Sequence, residues 1–235
     1  MLNYYKKHIN NIYNFNFFKA LFILTAVLNG MLLLAVKTNH IGFNHDSPIN
    51  NLFSICDFYL LIIYVVLLMF TIGMDFKNSM SDISLSASKS KSNDYMIKKI
   101  LTIISQYGIC YIITLINIIY CYNSIINKDN KVPYHLEILI LSSIITTIFV
   151  TSIAIFFIVL IKDIPKTIII VTFLYFVGEY LWRGKATQKY GILAHRFYWE
   201  WGEMGFNIKV KLIYLALSIV LLIFSYFWLG RGTKK

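Results

Sequence analysis

Long apolar runs alternate with short polar stretches along the whole chain. Crossing a hydrocarbon core of about 30 Å takes about 20 apolar helical residues. Runs of that kind fall at Phe17–Val36, Leu52–Gly73, within Ile100–Tyr122, at Ile138–Ile161 and at Leu212–Gly230. A shorter one covers Thr167–Trp182. The pattern predicts an all-α, polytopic membrane protein with six transmembrane helices, forming one transmembrane domain over residues 1–235. The prolines, Pro48, Pro133 and Pro165, fall in the expected connections, where a residue without a backbone N–H does least damage.

Two flanking segments have their own patterns. In Met1–Asn16, Tyr5, Ile9, Ile12 and Tyr13 recur at helical spacing, while Lys6, Lys7, Asn10 and Asn11 take the other side. That predicts a short N-terminal helix lying in the headgroup layer. Residues 183–209 are dense in aromatics, among them Trp199 and Trp201, with Glu200 and Glu203 interleaved. Aromatic rings with one polar edge collect at membrane interfaces. Short outer hairpin helices between spans five and six follow, serving either as an interfacial belt or as a lid over a pathway.

Composition agrees with membrane burial. Hydrophobic residues make up 58% of the chain and charged ones only 14%. A soluble domain carries roughly 25% charged residues, so this chain has too few to cover a wet surface. No cleavable signal peptide is evident. The net charge of +11 does not point to nucleic acid, because the Lys and Arg residues cluster at the ends of apolar runs. The cysteines Cys56, Cys110 and Cys121 lie in or at the ends of apolar runs with no metal-type spacing, and read as small apolar residues.

Orientation follows from the basic residues. With the N-terminus inside, the cytoplasmic set holds Lys6, Lys7, Lys19, the lysines of 75–99, Lys162, Lys166, Arg231, Lys234 and Lys235. The excess over the outer set is modest. It grows if the short fifth run is re-entrant, so charge alone leaves the topology of 167–211 open. The expected location is the plasma membrane of a bacterium, with both termini cytoplasmic.

The chemistry begins with absences. The sequence has no GxxxxGK[ST] phosphate loop, no HExxH and no GxSxG. No metal site is expected. His40 and His45 share a loop with Asp46, which reads as an ordinary solvated loop. Two acids, Asp57 and Glu179, fall near span ends. They either rest at the outer interface or line the outer part of a substrate path together with Trp182, Trp199 and Trp201.

The stretch Asp75–Lys99 stands apart. It is basic, and Ser recurs at every second position from Ser84 to Ser92. By composition that run is a flexible linker. Asn93–Lys99 leads into the third span, where Asp94 favours a helix start and Lys98 and Lys99 anchor it at the headgroups.

This arrangement resembles the ABC-2 type permease family. Its members have an interfacial N-terminal helix, six spans, an acid after span two, a short ATPase-docking helix, and an S-[RK]-x-[DE]-y-x-x-x-K entry to span three. Asp75 stands in the place of the acid, Leu85–Lys91 in that of the docking region, and Asp94, Tyr95 and Lys99 in that of the entry. Asn78-Ser79 replaces the usual Gly-Thr, and the usual Pro before the Ser-Lys step is missing. The small size and the Ile/Asn/Lys-rich composition are most similar to peptide-exporting members of low-GC Gram-positive bacteria, such as the phenol-soluble modulin exporters of staphylococci.

The resemblance implies a permease subunit that is not an enzyme by itself. A separate ABC ATPase would bind ATP and Mg, docking at Asp75, Leu85, Ser86, Ser88, Lys89, Lys91, Asp94 and Tyr95. The permease would pair with itself or with a sister chain. Its cargo would be an amphipathic or hydrophobic peptide. The alternatives are a bacteriocin immunity permease and, from another class, an intramembrane protease. The protease would require paired acids and histidines within spans.

Overall fold

The computed structural model of the chain describes residues 15–38, 52, 55–77, 89–123, 136–183 and 204–229. Among these the architecture is all-helical. The helices are α1 (Phe15–Lys37), α2 (Leu61–Lys77), α3 (Lys89–Cys121), α4 (Leu136–Ile161), α5 (Ile164–Arg183) and α6 (Met204–Leu229), with a π-helical turn, Ile55–Leu60, leading into α2. Among the described residues, five helical segments are long and apolar enough to cross a membrane: Asn16–Lys37, Phe58–Phe76, Asp94–Cys121, Ile140–Ile161 and Ile208–Leu229. The apolar part of α5, Ile164–Gly178, is shorter.

Neighbouring helices run in alternating directions, as named contacts show. Tyr64 stacks on Tyr107 at 4.0 Å between ring centroids, and Asp75 meets Lys99, so α2 and α3 are antiparallel. Phe58 lies against Tyr175, and Gly73 against Ile164, so α5 is antiparallel to α2 as well. Asn29 bonds Thr114 and Asn117, and Thr25 lies beside Cys110, so α1 runs with α3. Lys211 bonds Thr146 and Tyr214 stacks on Phe149, so α6 runs parallel to α4. A chain leaving α4 and entering α6 in the same direction must return between Ile161 and Met204, and α5 is the described helix that travels back.

The core sits on α2. Leu61, Tyr64, Leu68, Met69 and Ile72 are fully buried there, with Leu60 just before them. Gly73 gives α2 its closest approach to the α4–α5 corner. A Cβ on Gly73 would collide with Ile164 Cγ1 and lie 3.2 Å from Ile158 Cδ1. In contrast, α6 turns most of its side chains outward, among them Leu212, Ile213, Phe224 and Phe227. Its buried polar positions, Lys211, Ser218 and Ser225, recur every seven residues. Small residues at that spacing let two helices pack closely along a left-handed seam. The serine hydroxyls bond their own helix, to Tyr214 O and Leu221 O at 2.7 Å, and so bring no unpaired donor to the seam.

Several expected boundaries move. The second span continues past Gly73 to Lys77, so Asp75 lies within α2 rather than after it. The final helix starts at Met204, which takes part of the expected hairpin segment into α6. The remainder of that segment, 184–203, lies outside the described residues, as does the expected N-terminal helix up to residue 14. Pro165 is not in a connection but in the first turn of α5, where its missing N–H costs nothing. Asp163 caps that turn. Its Oδ1 accepts the Lys166 N–H at 3.0 Å, and its carbonyl accepts the Thr167 N–H at 3.1 Å. Lys162, with φ of 56°, ends α4 in the left-handed conformation, and its N–H closes on Ile158 O at 3.0 Å.

Candidate functional site

The charged end of the bundle is built around α2 and α3. Asp75 is in the last turn of α2, and Lys99 is in the third turn of α3. Antiparallel packing places them opposite each other. Lys99 Nζ donates to Asp75 Oδ2 at 2.6 Å, with the two side chains only 5% and 10% exposed. The same ammonium reaches the Thr71 carbonyl at 3.5 Å and the face of the Tyr95 ring, 6.0 Å from its centroid. Two charges out of water, paired and hydrogen-bonded, tie the two helices together here.

The connection 78–88 therefore emerges from two helices locked to each other at their base. The α4–α5 corner lies beside the end of α2. Lys162 Nζ sits 5.8 Å from the Phe76 ring centroid, and Asp163 pairs with Lys166 at 3.8 Å on the surface. By helix direction, Lys19 of α1 and the end of α6 belong to this same end. Five lysines, Lys19, Lys98, Lys99, Lys162 and Lys166, thus gather around one rim, while Lys37, Lys209 and Lys211 belong to the other.

Helix α3 begins at Lys89, earlier than the Ser-rich pattern implies. Asp94 is therefore inside the helix, where it is exposed, and is not its cap. Extending an existing helix costs little once a long apolar stretch has nucleated it, and Lys and Ser tolerate the conformation. The helix has 33 residues, about 50 Å at 1.5 Å per residue, against a hydrocarbon core of about 30 Å. Its first turns project beyond the span. Lys89 and Lys91 are on this projecting part, and Tyr95 is half-buried at its base. Leu85, Ser86 and Ser88 lie outside the described residues.

The other candidate path residues belong to the opposite end. Asp57 is in the π-helical turn before α2, and Glu179 and Trp182 are in the last turns of α5. The Phe58–Tyr175 ring contact, 5.8 Å between centroids, brings these two stretches of backbone together. The side chains of Asp57, Glu179 and Trp182, and the whole of Trp199 and Trp201, lie outside the described residues.

Two polar clusters within the spans escaped the sequence reading. Asn29 Nδ2 donates to Thr114 Oγ1 at 3.0 Å and to Thr25 O at 2.8 Å, and Asn117 Nδ2 donates to Asn29 Oδ1 at 2.8 Å. This network crosses from α1 to α3 in the middle of apolar runs. Near the other end, Lys211 is 4% exposed and donates to Thr146 Oγ1 at 2.7 Å, with the Tyr214 ring 5.7 Å away. The lone asparagines inside apolar runs were the available signal for the first cluster. Nothing in the sequence marked Lys211 as buried.

A third feature is a lateral cleft of about 340 Å³ between α3 and α6, floored by α4 and by Tyr64 of α2. Its walls are aliphatic, including Ile97, Leu101, Ile104 and Leu222. Among the described residues no group of three His, Cys, Asp or Glu side chains is placed to hold a metal ion. The cysteines are buried and unbridged. No protein-family model, curated protein or solved structure matches the chain.

Proposed function

We propose that this chain is the membrane-spanning permease subunit of an ATP-driven exporter of the ABC-2 type, moving amphipathic or hydrophobic peptides. In this reading it spans a bacterial plasma membrane six times, with both termini in the cytoplasm. It works as a dimer, with itself or with a sister chain. A separate ABC ATPase binds ATP and Mg and supplies the energy.

The observation that carries the reading is the buried Asp75–Lys99 pair at the base of the connection 78–88. A partner that grips this connection, or the projecting first turns of α3, pulls on a unit and not on a single strand. Displacement of that unit moves α2 and α3 together, and α2 is the centre of the core. Asp75 and Lys99 then act as the hinge pin, while Leu85–Lys91 and Asp94 meet the ATPase. The lysines at this rim support a cytoplasmic placement. The alternating helix directions support a crossing by α5, and with it the count of six.

The test is co-purification with the ATPase encoded beside it, using the native chain and a variant in which Leu85–Lys91 is replaced by a Gly/Ser linker. The proposal expects the ATPase to be lost from the variant, and peptide export with it. Persistence of both assembly and export would reject the docking assignment.

A further inference from the structure

The cleft between α3 and α6 has a definite depth and a definite polarity. It runs along α3 from Met96 to Tyr107, about 16 Å at 1.5 Å per residue. That is close to one leaflet, half of a hydrocarbon core of about 30 Å. Its outer end is at the level of the Asp75–Lys99 pair, and its inner end is at the Tyr64–Tyr107 stack in the middle of the bundle.

Most of the hydroxyls that line it are already committed. Ser152 Oγ donates to Ile148 O and Ser225 Oγ to Leu221 O, each at 2.7 Å. The Tyr107 and Thr147 hydroxyls face each other at 3.5 Å. Thr151 Oγ1 is the exception, buried without a hydrogen-bond partner. One buried hydroxyl among aliphatic walls offers little to a polar occupant. Shape narrows the occupant further. The cleft is narrow for its length, about 340 Å³ over roughly 16 Å of α3, and suits a slender apolar chain lying along the helix.

Charge then identifies what such a chain is attached to. Lys98 is exposed on α3 at the level of the outer end of the cleft, next in sequence to Ile97 of its wall. The same helix carries Lys89 and Lys91 further out. The opposite wall ends at Leu229, and the sequence continues into Arg231, Lys234 and Lys235. Both walls lead into basic sequence. Basic residues next to a membrane surface attract anionic headgroups.

We infer that the α3–α6 cleft is a lipid site, holding one acyl chain of an anionic phospholipid from the leaflet at the Asp75 end, with its headgroup against Lys98. The bound chain completes the bundle where α3 and α6 fail to meet, and it couples the position of α6 to the lipid around it. This site does not depend on the transport reading.

Native mass spectrometry of the full chain in detergent tests the site, with phosphatidylglycerol and phosphatidylcholine of identical acyl chains. One phosphatidylglycerol should be retained at collision energies that strip phosphatidylcholine. Lys98→Gln should reduce that preference several-fold. Thr147→Phe, which fills the cleft, should remove the retained lipid of either kind. Ile104→Trp serves the same purpose if Thr147→Phe fails to give a monodisperse protein. Equal retention of the two lipids, or retention unchanged in the filled variant, would overturn the proposal. A photo-crosslinking residue at Leu101 gives an independent reading in native membranes. A phospholipid adduct is expected, whereas a cross-link to a second copy of the chain or to a peptide would reject the lipid assignment.

Discussion

Asp75 of α2 and Lys99 of α3 form an ion pair at 2.6 Å near the ends of the two helices that the Ser-rich connection 78–88 joins. Burying two charges is costly, and the pair recovers that cost only while both partners are present.

Removing one partner should therefore hurt more than removing both. Asp75→Leu alone and Lys99→Met alone each leave a buried charge, and each is expected to destabilise the protein by about 3–5 kcal/mol. The double variant should recover most of that loss. Thermal unfolding in detergent, followed by size-exclusion chromatography, measures the three variants. A double variant no better than the sum of the singles would mean that the charges do not act as a pair.

The asparagine network between α1 and α3 should behave in the same direction with smaller amplitude. Asn29→Leu removes the shorter of the two bonds the Asn117 amide makes, leaving it the Asn29 carbonyl at 3.3 Å, and is expected to cost about 1–2 kcal/mol, toward the upper range for interhelical hydrogen bonds in membranes. Adding Asn117→Leu should restore part of the loss, because no under-satisfied amide remains. Unfolding by increasing denaturing detergent reads the difference.

Glycine positions give a contrast within one residue type. Gly73→Ala drives a methyl group into Ile164 and is expected to cost about 1–3 kcal/mol. Gly30 and Gly108 have nothing within 4 Å of an added Cβ. There, Ala should be neutral or stabilising by up to about 1 kcal/mol, since it favours the helix. Melting temperatures of the three variants should fall into these two groups.

The alternating helix directions predict labelling from opposite sides of the membrane. In a chain with Cys56, Cys110 and Cys121 replaced by Ala, single cysteines at Lys19, Lys98 and Lys166 should react from one side. Those at Lys37 and Lys209 should react from the other. An impermeant maleimide applied to intact cells and to inverted vesicles makes the assignment. The same side for positions 166 and 209 would contradict a crossing by α5. Reaction of position 98 from the cytoplasm would place the basic rim inside.

The spans were legible before any coordinates because hydrophobic length is a one-dimensional property. A run such as Ile138–Ile161 has few ways to avoid a bilayer. Helix ends were less legible, for local reasons. The last turn of α2 and the first turns of α3 are polar, so hydropathy ends before the helix does, and Asp75 reads as a loop residue although it is buried. Pro165 reads as a breaker, yet Asp163 caps the turn that contains it.

The sequence alone determined that this chain is a helical membrane protein with a basic, Ser-rich connection between its second and third apolar runs. Composition and run length decide those properties, and neither depends on which helix touches which. Tertiary packing decided the rest. It set Asp75 against Lys99, joined Asn29 to Asn117, buried Lys211 under Thr146, and made α4 and α6 parallel. It also left a cleft where α3 and α6 part. Residues far apart in the chain make these relationships, so they exist only once the order and direction of the helices are set.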